Sequence, residues 1–220
     1  MEKLKRKISF KAYLIALLIT LIFFSFGILV GKYFAYQQLD TLRLSQKAIS
    51  AFFSLFELRG AILNKTAYCN LSWSDLWKEK VEIGEILTEL ELRLGKTNKR
   101  VIEQKIIYNE VQFKTLKLAE KVNKECRYNW TLILFFYTNN KKDKKGDYEL
   151  SELQGYVLDT IYEIDREKIK IFSFDINALD NETQKLIANY SIKSVPSLVI
   201  NKKLYEGFRS KYEIQKIIGK

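Results

Sequence analysis

The chain has 220 residues, 47% hydrophobic and 29% charged, with nine glycines and one proline, so composition excludes disorder and collagen-like or mucin-like stalks. It has no histidine and two cysteines, which removes imidazole general bases, Ser-His-Asp and Cys-His pairs and any zinc centre completed within one chain; no metal or cofactor is expected. Of the net charge of +11, residues 1–11 supply five basic and one acidic side chain, and the remaining +7 is spread among interspersed Lys and Glu, the pattern of a solvated surface or of attraction to anionic headgroups.

Ala12 to Gly31 (AYLIALLITLIFFSFGILVG) carries no charge. As a helix these residues extend about 30 Å, the thickness of a bilayer core, and Tyr13, Tyr33, Phe34 and Tyr36 supply aromatic residues near both interfaces. A cleaved signal peptide is the rival, because Lys3, Lys5, Arg6 and Lys7 form an n-region. The apolar run exceeds the usual ~7 to 15 residues and no small-x-small site follows it, which favours an uncleaved signal anchor. The basic flank predicts a cytoplasmic N-terminus, with everything from Tyr33 onward outside the cytoplasm, where disulfides persist. Five Asn-x-Ser/Thr sequons, at Asn64, Asn70, Asn129, Asn181 and Asn189, are candidate glycosylation sites there. No base-reading motif is present, so the expected partners are the lipid bilayer and an extracytoplasmic polypeptide, without nucleic acid.

From residue 37 to 127 the chain has no proline and an apolar spacing near 3.6, which predicts helix. A first piece runs through Leu39, Leu42, Ile49, Phe52, Phe53, Phe56 and Ile62; a coiled coil between two copies, and hence a homodimer, is one way to bury it. Ser72, with Asp75 three residues later, signals the start of a second helix with Leu76, Ile83, Leu87, Leu90 and Leu94 on one stripe. Gly95 ends it, and Thr97 or Asn98 opens a third helix bearing Ile102, Ile106, Phe113 and Leu116. The short turn makes an antiparallel hairpin the expected arrangement. Cys69 lies about 27 residues before that turn and Cys126 about 29 after it, so both return to one end of the hairpin at ~1.5 Å per residue. An intrachain disulfide, an interchain one and free thiols all remain open, the first being favoured; closing this loop contributes about 3–4 kcal/mol in the chain-entropy model.

After Cys126 the periodicity changes. Trp130 to Tyr137 (WTLILFFY) reads as a buried strand, and the basic run Lys141 to Asp147 as a solvated turn that lacks P-loop and EF-hand spacing. A helix through Leu150, Leu153, Val157, Leu158, Ile161 and Ile164 follows, then a strand at 169–176, a helix at 182–190, strands at 195–200 and 203–208 and a closing helix at 212–218. This β-α-β-α-β-β-α order predicts a mixed four-stranded sheet with helices on both faces. The chain divides into a basic stub and anchor (1–36), a helical hairpin (37–127) and an α/β domain (128–220).

Tyr190-Ser-Ile-Lys-Ser-Val195-Pro196-Ser-Leu-Val-Ile200, followed by Asn201-Lys-Lys and Gly207, resembles the cis-proline strand, hairpin and terminal glycine of the thioredoxin-like fold family, and the resemblance covers about the last 90 residues. It implies a Cys-x-x-Cys at the start of the first helix, where the helix N-terminus stabilises a thiolate. Here Tyr148 and Ser151 stand on those positions, so dithiol exchange at that site has no thiolate to use. It also implies a groove in which Val195 and Pro196 pair with an extended peptide, beside Tyr148. The leading expectation is a membrane-anchored, redox-inactive, peptide-binding or chaperone-like module. The alternatives are a thiol-disulfide oxidoreductase using Cys69 and Cys126, and an oligomeric structural membrane protein.

Overall fold

The computed structural model describes residues 10–11, 13–35, 69, 73–126, 128–178 and 180–219. The first piece of the helical segment with its stripe from Leu39 to Ile62, the sequons at Asn64 and Asn70, and the Ser72 cap lie outside them. Two compact units are present, 1–43 and 44–220. The first contains helix α1, Tyr13–Ala35, which has a mean hydropathy of 2.7 and is long and apolar enough to cross a membrane, as an anchor or a signal sequence equally would be.

The second unit contains α2 (Trp73–Leu94), α3 (Lys99–Glu125), β1 (Thr131–Tyr137), α4 (Tyr148–Ile164), β2 (Ile169–Asp175), α5 (Asn181–Tyr190), β3 (Ser197–Ile200), β4 (Lys203–Glu206) and α6 (Lys211–Ile218). The strands form one mixed sheet in the order β2-β1-β3-β4. β1 is parallel to β2 and antiparallel to β3, and β3 is antiparallel to β4. The period-2 alternation of side chains sorts the core into two layers. Leu134, Phe136, Phe172, Phe174 and Val199 face Trp77 of α2, Leu116 and Ala119 of α3 and Leu186 of α5. Ile133, Phe135, Ile169, Leu198 and Ile200 face Leu158 and Ile161 of α4 and Ile214 of α6. One of the two layers therefore crosses residue 128: α2 and α3 cover a sheet face together with α5.

Gly95 ends α2 with a φ of +88°, a conformation glycine reaches without steric cost, and Asn98 caps α3 by accepting from Arg100 N–H. The expected apolar stripe holds on α2, where Leu76, Ile83, Leu87 and Leu90 are buried. It fails on α3. Ile102 and Ile106 are exposed, whereas Gln104, Lys105, Asn109, Gln112 and Thr115 are buried.

The physical reason is the neighbour. β2 is an edge strand, and its unpaired backbone groups need partners once a helix covers them. Gln112 acts as a one-residue strand, accepting from Ser173 N–H and donating to Ser173 C=O. Lys80 of α2 donates to Ile171 C=O at 2.7 Å. Polar side chains on these helices thus close the sheet edge, a role that hydrophobic periodicity does not detect.

Candidate functional site

The two ends of the sheet carry different chemistry. At the start of β1, Cys69 and Cys126 are joined by a disulfide with Cα atoms 5.4 Å apart. Aromatic rings pack beside it: Tyr128 stacks on Trp130, Trp73 meets Trp130 edge to face, and Tyr128 Oη donates to Cys69 C=O. At the other end, the Val195–Pro196 peptide is cis and leads into β3, whose first residue, Ser197, pairs with Phe136 near the end of β1. The seven residues of β1 separate the two ends by about 20 Å at ~3.3 Å per residue. The sulfur pair is therefore remote from Pro196.

The proline end is built from three segments. Asp147 caps α4 by accepting from Leu150 N–H at 2.9 Å, which places Tyr148 at the first helical position and Ser151 one turn later. The Tyr148 hydroxyl donates to Glu152 at 2.7 Å, and Lys96, from the turn between α2 and α3, donates to the same carboxylate oxygen at 2.6 Å. Lys96 and then the tyrosine hold the Glu152 carboxyl below the usual range, and the hydrogen bond to Glu152 pushes the Tyr148 phenol up. A phenol held in its protonated form is the opposite of an activated nucleophile. Ser151 is buried, and its Oγ accepts from Thr138 N–H at 3.4 Å; with no histidine in the chain, no imidazole stands ready to deprotonate it.

The third segment pairs with the backbone of Val195. Val195 N–H donates to Lys145 C=O at 2.9 Å, and Val195 C=O accepts from Asp147 N–H at 3.0 Å. Gly146 forms a parallel bridge with Val195, so both backbone groups that would pair with a peptide are filled by the chain itself. Val195 and Pro196 are buried in this arrangement.

The basic run keeps its lysines exposed, as a solvated turn does, while its backbone is tied as a strap. A Cβ at Gly146 would come within 2.4 Å of Val195 Cγ2 and 2.7 Å of Thr138 Cγ2, so only glycine fits this approach. Asp143 Oδ1 accepts from Lys145 N–H at 2.8 Å, Asp143 Oδ2 accepts from Asn177 Nδ2 at 2.7 Å, and the Thr138 hydroxyl lies 2.6 Å from Asn177 Oδ1. Burial acts to raise the Asp143 pKa, but these donors outweigh it and hold the carboxyl below its ordinary value.

What stays open at this end is a shallow depression of about 600 Å3 whose charged lining is Lys141, Lys144, Lys145 and Lys193 with Asp147 and Glu149, around Tyr148. Lys141 lies 5.0 Å from the centroid of the Tyr148 ring. None of the four lysines forms an ion pair with a carboxylate among the described residues. Of the sequon asparagines within the described residues, Asn129, Asn181 and Asn189 are all exposed. The residues that sequence reasoning missed are Lys96, Lys80, Lys105, Gln112 and Lys170. Lys105 is buried and paired with Glu91 at 2.6 Å and Asp175 at 3.4 Å, fastening both helices to the end of β2.

No protein-family model and no curated protein matches the chain. Among solved structures, a chloroplastic thioredoxin z is similar at 20% identity over 46% of this chain and 85% of that chain, with a TM-score of 0.34. The strand order and pairing, with helices on both faces, are consistent with a thioredoxin-like fold.

Proposed function

We propose that the chain is a membrane-anchored, extracytoplasmic, redox-inactive protein of thioredoxin-like fold that binds a polypeptide at the proline end of its sheet, as a client-binding or chaperone-like module. The observation that carries this reading is the replacement of chemistry at the mouth. The helix start that would hold reactive sulfur has a protonated tyrosine and a buried serine, and beside them four lysines outnumber the carboxylates Asp147 and Glu149. Such a surface attracts acidic side chains and performs no electron transfer. With the Val195 edge filled by the strap, contact is made through side chains around Tyr148. The anchor is α1, and the basic residues that precede it keep the N-terminus in the cytoplasm, leaving Asn129, Asn181 and Asn189 open to glycosylation outside.

The test places a photo-crosslinking amino acid at position 148, or at the exposed Tyr212 as a control, in the full-length chain in its membrane. Polypeptide adducts from position 148 that a glutamate-rich peptide competes away are the expected result. Adducts equal at both positions, or none at 148, would refute it. The oxidoreductase alternative using Cys69 and Cys126 is disfavoured by the distance between the disulfide and the mouth.

A further inference from the structure

A larger cleft, about 900 Å3, opens between α2 and α4 against the edge of β2. Four lysines line it; Lys78 is exposed, and the surroundings of the three buried ones differ. Lys105 has two carboxylates, Glu91 and Asp175. Lys80 and Lys170 are equally buried, at 5% and 7% exposure, yet each has only a backbone carbonyl as acceptor: Ile171 C=O for Lys80 and Arg166 C=O for Lys170. Neither makes an ion pair within the 4.0 Å limit among the described residues. Both ammonium groups lie against the ring of Trp77, 4.5 and 4.9 Å from its centroid, so they stand within about 10 Å of one another.

We propose that this cleft binds a phosphate group, held by Lys80 and Lys170 beside Trp77. Buried cations are ordinarily paired, and two of like sign side by side are doubly unfavourable. Each lysine has three N–H donors and uses one, which leaves four for an incoming acceptor. A carboxylate would bring one charge to two cations, whereas phosphate brings nearly two, with several acceptor oxygens.

Five acids line the same cleft: Glu163 pairs with Arg166 and Glu91 with Lys105, and Glu85, Asp159 and Glu167 form no ion pair with Lys80 or Lys170. Asp165 and Glu167 act on Lys170 from farther off. Without a ligand the pair relieves itself by losing protons: burial, then Lys170, brings Lys80 down to about 7, and burial brings Lys170 to about 8. The phosphate can be free, esterified or part of a lipid headgroup, since the recognition chemistry is the same.

The full-length chain in detergent is melted with inorganic phosphate, with glycerol 3-phosphate and with phosphatidic acid bicelles, each against sodium chloride at matched ionic strength. At about fivefold excess over the dissociation constant, at least one of them raises Tm by about 2–4 °C. The shift disappears in Lys170→Met and persists in Lys141→Met, whose lysine lies at the mouth; the most effective arm identifies the source. Should Lys170→Met fold poorly, phosphorus NMR replaces the melt: the line of the bound group broadens with the unaltered chain and stays sharp with Lys80→Gln. No shift beyond chloride in any arm, or a full shift retained without Lys170, overturns the proposal.

Discussion

One end of the sheet has the disulfide, and the other has the cis-proline and a cluster of lysines. At the start of β1 the Cys69–Cys126 bond sits among Trp73, Tyr128 and Trp130. At the end of β1 the Tyr148–Glu152–Lys96 cluster and the strap on Val195 surround the cis-proline. The disulfide and the cis-proline thus lie at opposite ends of one sheet. The disulfide fastens the base of α2 and α3, while the tips of those helices reach the mouth through Lys96. The helices therefore link the two ends while covering one face of the sheet, and their polar buried residues close its edge.

The most severe perturbation of this arrangement is removal of the helices. A fragment of residues 128–220 exposes Leu134, Phe136, Phe172 and Phe174 on the face that α2 and α3 cover, so it should lack a cooperative thermal transition by circular dichroism, whereas residues 69–220 should retain one. Next, Cys69→Ser with Cys126→Ser opens a loop with a sequence separation of 57 and should lower stability by about 3–4 kcal/mol in denaturant titrations. The mouth should be unaffected: hydrogen exchange at the Val195 amide, measured under native conditions, should change no more than the global stability does.

The edge between the two ends is probed by pH. The pKa values of Lys80 and Lys170 in the folded chain, about 7 and about 8, lie below the ordinary 10.5, so between pH 7 and 10 the unfolded chain binds more protons and stability rises with pH. Burial pushes the phenols of Tyr108 and Tyr137 up, which reverses the slope above about pH 10. The rise should amount to about 2–4 kcal/mol, most of it absent in Lys80→Met, as read from denaturant midpoints at each pH. The smallest effect belongs to the strap. Gly146→Val collides with Val195 and Thr138 and should cost about 1–3 kcal/mol. It should speed exchange at Val195 at least tenfold more than at the β1 amides while leaving the disulfide intact.

Much of this architecture is legible in the residues. The apolar runs at 130–137 and 169–176, the turn at Gly95 and the proline at 196 point to the mixed four-stranded sheet and its special peptide. The polar face of α3 was not legible, because Gln112 and Lys105 answer to an edge strand about 60 residues away, and hydrophobic periodicity registers only apolar contacts. The strap escaped for a similar reason. A lysine-rich run reads as solvated, and the pairing of Gly146 with Val195 joins positions 49 apart. The available signal was the glycine itself, set beside an N-cap aspartate where the backbone must approach closely. Lys80 and Lys170 looked like surface charge until the cleft brought them to one ring.

Absence of thiol chemistry at the mouth is open to a direct assay. Insulin reduction by the full-length chain in detergent, with dithiothreitol as electron donor, should proceed no faster than with dithiothreitol alone, and Cys69→Ser should leave that rate unchanged. Turnover above the dithiothreitol background that Cys69→Ser abolishes would contradict a redox-inactive mouth and a purely structural disulfide.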